Sequence, residues 1–218
     1  MSQSPTTLEV QKEIAREHLL LTGHVSLQII QMLNFQGLEV AEFMERLERQ
    51  RQDLAIAERV TISGRHDALA SVARQQIKLE ATRQALRTFD NSANILAGSI
   101  LQIVQQGMSR VHGSIKTYPN KGRNVAGVSL CDLVWQGRNQ AMHYETTATR
   151  ADWSIVFSVL DAIQPGTFSL THPYESRAKA IFDLLGWQSY SVYEEDLKSL
   201  LLGCQLSEES PPNANAVS

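Results

Sequence analysis

Three residues in the segment from Arg138 to His143 are of the types that handle phosphate groups and protons. Arg138 carries a permanent positive charge, Asn139 an amide and His143 an imidazole, and they follow an apolar run from Val128 to Trp135. A guanidinium group binds a phosphate through a planar fork of N–H donors, and an imidazole takes or gives a proton near neutral pH. Together these groups are the minimum equipment for cutting RNA without a metal ion.

The spacing of these residues decides whether one chain can bring them together. Each residue of a helix turns the side-chain direction by roughly 100°, so Asn139 and His143 share a face and the amide can orient the ring. Arg138 and His143 diverge by about 140° on the same geometry. Attack of an RNA 2′-hydroxyl on its phosphate needs a base, an acid and a clamp for the transition state. A second copy of the helix, related by two-fold symmetry, would supply the missing imidazole and a second guanidinium.

Each of these residues also has an ordinary structural interpretation. A histidine near the end of a helix often does no more than place a favourable charge on the helix dipole. Arg138 can pair with Asp132 or Glu145, and Tyr144 can simply pack against its neighbours. Spacing alone leaves these interpretations and catalysis both open.

The residues before the motif predict helices that would support it. Thr6-Thr7-Leu8-Glu9 matches a capping box at the start of a helix that runs to Leu33. Its expected apolar face consists of Ile14, Leu20, Leu21, Val25 and Ile29. The segment Asn34–Gly37 is expected to break this helix. A second helix follows, with a narrow apolar seam that suits either a neighbouring helix of the bundle or a coiled-coil partner. The seam is made of Val40, Met44, Leu47 and Leu54.

The rest of the chain also reads as helix, so the predicted fold class is all-α. After a break at Thr61–Gly64, a long apolar periodicity from about Asp67 to about Ser114 predicts the central strut of the fold. The segment Thr117–Gly127 is predicted as a loop because it contains proline and several glycines. Later helices are predicted over residues 129–144, 151–163, 174–185 and 192–202, with Gly203 as the final cap and residues 205–218 as a disordered tail.

Composition describes an ordinary globular protein, with 43% hydrophobic and 20% charged residues. Cys131 and Cys204 are too few for a disulfide framework or a cysteine-rich zinc site, which favours a cytoplasmic location. The sequence shows no apolar run of membrane-spanning length and no signal core. It also lacks a histidine–glutamate cluster and a glycine-rich phosphate loop after a strand, so we expect neither a metal ion nor another cofactor.

Charge is distributed unevenly along the chain. The net charge is −3, yet Lys116–Arg150 has a balance of +3 and Trp187–Ser218 a balance of −4. An anion would therefore be drawn toward the first region. Lys121 and Arg123 lie just ahead of the motif helix and are candidate RNA contacts. An interpretation of both as residues of a solvated loop is at least equally well supported.

The pattern Arg138-Asn139-x-x-x-His143, late in an all-helical chain, resembles the Arg-x4-6-His motif of the HEPN superfamily (higher eukaryotes and prokaryotes nucleotide-binding domains). The commonest form of that motif has Asn, Asp or His after the arginine, and Asn139 fits. The resemblance implies a helical bundle that forms a homodimer with both motifs facing one another. Many members are metal-independent endoribonucleases. On this resemblance Arg138 and His143 would be catalytic and Asn139 would shape the site, with Tyr144 as a further RNA contact.

The resemblance also implies a domain organisation. Residues 1–204 would form one HEPN-like domain, with a motif-bearing core at about 67–163 and a C-terminal helical extension at 164–204. In the toxin branch of the superfamily, a modifiable tyrosine stands two residues after the histidine. Here that position is Glu145, with Tyr144 next to the histidine. The chain therefore departs from that branch.

Two classes of function follow from these observations. The first is an endoribonuclease that cuts single-stranded RNA or tRNA loops, as a toxin or an antiviral defence effector with an antitoxin or regulatory protein as partner. Unpaired targets are favoured because their bases and 2′-hydroxyls are accessible. The second is a noncatalytic helical module that binds RNA, a nucleotide or a regulatory protein.

Overall fold

The computed structural model describes residues 6–62, 67–114, 118, 120–144, 151–171 and 175–203, with only the backbone described at 61, 62, 67, 68, 151 and 152. The fold is all-α, as predicted. The elements in these residues are α1 (Thr7–Ile62), α2 (Asp67–His112), β1 (Asn124–Val125), β2 (Val128–Ser129), α3 (Leu130–His143), α4 (Ala151–Ile163), α5 (Ala178–Leu184) and α6 (Tyr190–Leu202). No helix among these residues is both long and apolar enough to cross a lipid bilayer.

The start of α1 confirms the predicted capping box. The backbone N–H of Thr6 donates to Glu9 Oε2 at 2.7 Å, and the backbone N–H of Glu9 donates to Thr6 Oγ1 at 3.3 Å. These reciprocal bonds satisfy donors that have no partner inside the helix. The bond from Thr6 also lowers the pKa of the Glu9 carboxyl, because it stabilises the charged form.

Helices α1 and α2 pack as an antiparallel pair along a seam of buried and half-buried side chains. Residues seven apart recur on nearly the same face of a helix, which keeps such a seam continuous. On α1 the seam contains Leu33, Val40, Leu47 and Leu54, and on α2 it contains Leu79, Leu86, Ala93 and Ile100. Cross-contacts along its length are the ion pair of Glu17 with Arg110, the hydrogen bond of Gln36 with Ser92 and the ring contact of Phe43 with Phe89. The partner of the predicted seam is therefore a helix of the same chain.

The break predicted at Asn34–Gly37 is wrong, because α1 continues through it. Leu33 is buried, and Gln36 Nε2 donates to Ser92 Oγ at 2.9 Å. A glycine inside a helix costs about 1 kcal/mol relative to alanine. Packing of the flanking turns against α2 offsets that cost.

The predicted apolar face of the first half of α1 is also partly wrong. Leu20 and Leu21 are 83% and 64% exposed, because the seam with α2 uses another side of the helix. Val25 is 42% exposed for the same reason. Met44, which was expected in the seam, is 53% exposed, while Phe43 contacts Phe89 there.

An apolar core joins part of this helical pair to the shorter helices. It includes Ala15 to Leu33 of α1 and Ala93 to Val111 of α2, together with residues of α3, α4, α5 and α6. The buried residues Leu47, Ala57 and Leu79 lie outside this core and pack within the pair. We call the helical residues 38–62 and 67–88 the arm. At 1.5 Å per residue, its α1 part is about 38 Å long.

A tight hairpin leads the chain into the motif helix. Strands β1 and β2 pair antiparallel, and the turn residues Ala126 and Gly127 have φ values of 53° and 79°. Glycine adopts such values without strain. Ser129 then caps α3, its Oγ accepting from the backbone N–H of Asp132 at 3.1 Å. Helices α3 and α4 agree with the predicted ranges to within one residue.

The C-terminal helices belong to the same core as the motif helix. Ile181 and Phe182 of α5 and Leu197 and Leu200 of α6 are fully buried in it. Helix α5 is shorter than predicted because it begins at Ala178, and Gly203 ends α6 with a φ of 71°, as expected for a cap. The predicted tail at 205–218 lies outside the described residues.

Candidate functional site

Helix α3 is fixed against α2 and α5 by close packing and by a buried amide. At Gly137 an added Cβ would lie 3.3 Å from Ile181 Cγ1, so the missing side chain allows the helices to approach. Gln140 is 3% exposed. Its Nε2 donates to Glu175 O at 2.8 Å, and its Oε1 accepts from the backbone N–H of Arg177 at 2.8 Å. The helix that carries the motif therefore has a defined position.

Arg138 is half-buried and oriented by two neighbouring amides. Its Nε donates to Gln102 Oε1 of α2 at 2.5 Å, and its Nη1 donates to Asn139 Oδ1 at 3.1 Å. A guanidinium has five N–H groups, so three have no protein partner among the described residues. Arg138 forms no ion pair with Asp132, and that carboxylate instead accepts from Ser129 Oγ at 2.6 Å. Glu145, the other alternative, lies outside the described residues.

His143 is the last residue of α3 and its side chain is exposed. Its ring lies nearly parallel to the indole of Trp153 on α4, with 6.4 Å between the ring centroids and 12° between the planes. Trp153 is 3% exposed. The buried indole therefore supports one face of the imidazole.

Within one chain Arg138 and His143 face different neighbours. Since α3 is continuous between them, their directions differ by about 140°. Arg138 binds α2, whereas His143 contacts α4. The divergence expected from their spacing is confirmed. Asn139, which was expected to orient the imidazole, uses its oxygen to orient the guanidinium.

The two predicted basic RNA contacts lie in different settings. Lys121 is exposed, and its ammonium lies 6.0 Å from the ring centre of Tyr118, whose ring in turn contacts Trp135 of α3 edge-on. Arg123 is held by the buried Asp196 of α6. Its Nε donates to Oδ1 at 2.7 Å and its Nη2 donates to Oδ2 at 2.8 Å. This pair joins the basic region of the sequence to the acidic one and raises the pKa of Arg123.

Tyr144 lies at the wall of a cleft of about 1020 Å³ between α2, the end of α3 and α5. Neither Arg138 nor His143 lines this cleft. The structure thus brings Arg138 and Asn139 together and places Tyr144, His143 and Lys121 at other points around α3.

Sequence reasoning missed three residues that position the motif. Gln102 holds Arg138, Trp153 supports His143, and Gln140 anchors α3. One signal was present in the sequence, because Gln102 is a lone polar residue in the apolar run Ile100–Val104. The other two pairings join segments whose packing no local pattern reveals.

No group of three or more His, Cys, Asp or Glu side chains within the described residues is arranged to hold a metal ion. Cys131 is buried, and burial raises the pKa of its thiol to about 11. Comparisons with protein-family models, curated proteins and solved structures find no match to this chain.

Proposed function

We propose that this protein is a cytoplasmic, metal-independent endoribonuclease of the HEPN type whose active site forms between two copies of the chain. The observation that carries the proposal is the orientation of Arg138 together with the exposure of His143. Arg138 is oriented by Gln102 and Asn139, and no described residue accepts a hydrogen bond from its three other N–H groups. His143 is exposed on another side of the same helix. Brought together by a second copy of the chain, an oriented guanidinium and an exposed imidazole suit an anion that undergoes proton transfer.

The second copy is needed because one chain offers one imidazole to the reaction. In the composite site, the His143 imidazole of one subunit takes the proton of the RNA 2′-hydroxyl. The 2′-oxygen attacks the phosphorus, and the bond from phosphorus to the 5′-oxygen breaks. The protonated imidazole of the other subunit donates its proton to that leaving oxygen. The products are a 2′,3′-cyclic phosphate and a 5′-hydroxyl, while two Arg138 groups stabilise the charge of the transition state.

Helix α4 offers an apolar face for this association. Ile155, Val159 and Ile163 are spaced four residues apart and are 66%, 39% and 55% exposed. Side chains at this spacing lie along one side of a helix, and exposed apolar patches of this kind often mark interfaces. The same helix carries Trp153, which contacts His143. Trp153 lies about 160° around the helix from Ile155, so pairing through this face would place both α4 helices at the two-fold axis and each His143 on the inner side of its own α4.

RNA cleavage in excess EDTA tests the proposal. Single-stranded RNA and tRNA should be cut by the wild-type chain, with cyclic-phosphate ends on the products. Arg138→Ala and His143→Ala should each lose at least about a hundredfold in rate, the usual contribution of a proton-transfer group. Arg74→Ala and His24→Ala serve as matched controls, because both residues are exposed on the long helices. Full cutting by either motif variant would refute the assignment.

The dimer is tested separately by Val159→Asp. This charge on the α4 face should yield monomers in sedimentation analysis and abolish cutting while the thermal unfolding temperature stays close to that of the wild type. A monomeric wild type that cuts RNA would contradict the composite site. A wild type that binds RNA in every assay and never cuts would favour the noncatalytic module.

We also propose that this RNA cleavage makes the protein a toxin or an antiviral effector in the cell. Overexpression should arrest growth, and His143→Ala should remove the arrest at equal protein level. Arrest that persists in this variant would separate toxicity from RNA cleavage.

A further inference from the structure

The cleft beside Tyr144 is large for a feature between packed helices. Its volume of about 1020 Å³ lies at the upper end of the range for small-ligand sites, roughly 300–1000 Å³. Small residues at the crossing of α2, α3 and α5 leave this space, among them Gly98, Ala141 and Ala180. At Gly98 an added Cβ would already lie 3.5 Å from Ala141 Cβ. Larger residues at these positions would narrow the cleft.

The walls of the cleft are tied to each other by hydrogen bonds. Gln140 of α3 holds the backbone at Glu175 and Arg177, with both bonds at 2.8 Å. Asn94 of α2 accepts from the backbone N–H of Lys179 at 3.1 Å. The cleft is therefore a preformed feature of the fold, which reduces the entropy that a ligand must overcome on binding.

The charges of the lining favour a neutral ligand over a phosphate. Arg177 pairs with Glu175 at 2.9 Å, and Lys179 pairs with Asp183. Among the described residues that line the cleft, the remaining charged one is Asp90, which gives these residues a net charge of −1. A phosphate group inside the cleft would meet like charge, whereas a neutral heterocycle would not.

The uncharged groups of the lining suit the edges and faces of a nucleobase. Asn91, Ser99, Gln164 and Thr167 carry amides and hydroxyls that both donate and accept hydrogen bonds. Tyr144 supplies an aromatic ring, and protein aromatics stack on unpaired bases in RNA recognition. Amide side chains are also well suited to the paired donor and acceptor of adenine.

We propose that this cleft binds one unpaired base, preferentially adenine, of the RNA strand whose neighbouring phosphate is held at the motif. The inference rests on the proposed ribonuclease function and adds a site that selects the substrate. Tyr144 connects the base site with the motif, since it lines the cleft and directly follows His143. The charged backbone of the strand stays outside the acidic cleft, and the base enters it.

Binding of an uncleavable RNA measures this site without relying on catalysis. Fluorescein-labelled 2′-O-methyl oligonucleotides of about 12 residues, of oligo(A), oligo(C) or oligo(U), are titrated with the full chain by anisotropy. Ser99→Phe fills the cleft from α2, and its hydroxyl donates only to Ile95 O of its own helix. Tyr144→Ala removes the ring. We expect each variant to weaken oligo(A) binding about tenfold, the usual loss for one stacked base.

The control for Ser99→Phe introduces the same aromatic ring outside the cleft. Gln84→Phe adds the same ring to α2, 15 residues or about 22 Å from Ser99. This variant should bind oligo(A) like the wild type. Free adenosine should compete for the site, and inorganic phosphate at equal concentration should not.

The outcomes separate this site from the ribonuclease function. If the wild type cuts RNA while Ser99→Phe and Tyr144→Ala bind oligo(A) and cut as well as the wild type, the base site is wrong and the ribonuclease stands. If both variants lose binding while the wild type never cuts RNA, the base site stands and the ribonuclease is wrong. Absence of any oligo(A) binding by the wild type overturns the base site. Equal binding of all three oligonucleotides overturns its preference for adenine.

Discussion

Replacing Arg123 with alanine would leave the carboxylate of Asp196 in the protein interior without its cation. Asp196 is 6% exposed and accepts hydrogen bonds from Arg123 and from the indole Nε1 of Trp187, the latter at 2.8 Å. Arg123 also donates to Leu185 O at 2.6 Å. After the substitution, the indole of Trp187 is the one described group that still donates to the carboxylate. The buried charge is then uncompensated, and that is the main cost of the change.

The magnitude follows from the burial of the two partners. Removing one member of a buried pair costs about 3–5 kcal/mol. Since the side chain of Arg123 is 43% exposed, water can reach the vacated position, and we expect a loss near the lower limit, about 3 kcal/mol. For a chain of this length that loss lowers the unfolding temperature by roughly 6–12 °C.

Urea unfolding of three variants tests this reasoning. Asp196→Asn should cost only about 1 kcal/mol, because the half-exposed guanidinium that it leaves unpaired can be solvated. The double variant Arg123→Ala/Asp196→Asn should be more stable than Arg123→Ala alone, since the second change removes the buried charge. Arg110→Ala is the matched control, as its pair with Glu17 is exposed on both sides; it should cost less than about 0.5 kcal/mol.

Two results would contradict this account. One is a double variant whose loss equals the sum of the single losses. The other is a larger loss for Asp196→Asn than for Arg123→Ala. The same proteins also test the prediction that Arg123 contacts RNA. An Arg123→Ala chain that remains folded at low temperature and binds RNA less tightly would support that contact.

Three further predictions concern the helices and the motif. Gly107→Ala should destabilise the fold by about 1–3 kcal/mol in urea unfolding, because the added Cβ would lie 2.7 Å from the ring of His18. Gly37→Ala, whose Cβ would have no atom within 4 Å, should instead stabilise the fold by about 0.5–1 kcal/mol. Equal effects of the two substitutions would refute this packing argument. Burial lowers the pKa of His18, so its contribution to stability is complete above the usual histidine pKa of about 6.5 and is lost as the pH falls from there toward the lowered pKa. The unfolding temperatures of the wild type and His18→Gln should therefore converge below pH 6.5. A difference that stays constant from pH 7.5 to 5 would contradict this prediction. Gln102→Leu should lower the rate of RNA cleavage at least about tenfold, because it removes the hydrogen bond that orients the guanidinium of Arg138. The unfolding temperature should change little. An unchanged rate would show that the bond between Gln102 and Arg138 is not needed.

Local patterns predicted those elements whose determinants lie close together in sequence. The reciprocal bonds of Thr6 and Glu9 and the cap at Gly203 involve neighbouring residues. The predicted break at Asn34–Gly37 failed because the benefit of continuing the helix comes from α2, more than fifty residues away. A local pattern of turn-forming residues contains no information about that partner.

In the motif, too, features set by neighbouring residues were predictable, whereas features set by distant residues were not. The divergence of Arg138 and His143 follows from helix geometry and was predictable. Their partners Gln102 and Trp153 come from two other helices, so only the packed structure identifies them. The partner of Arg123 was equally hidden, because Asp196 lies 73 residues farther along the chain.

The arm has a consequence for how this protein can vary in length. Seam positions recur every seven residues on both α1 and α2, so excision of one heptad from each helix at the same level keeps the remaining seam side chains facing each other to within about 20°. Each such step would shorten the arm by about 10 Å without disturbing the residues around α3. A deletion of two or three residues from one helix alone would rotate the rest of that helix and misalign the seam. Natural variants of this chain should accordingly differ in arm length by matched multiples of seven.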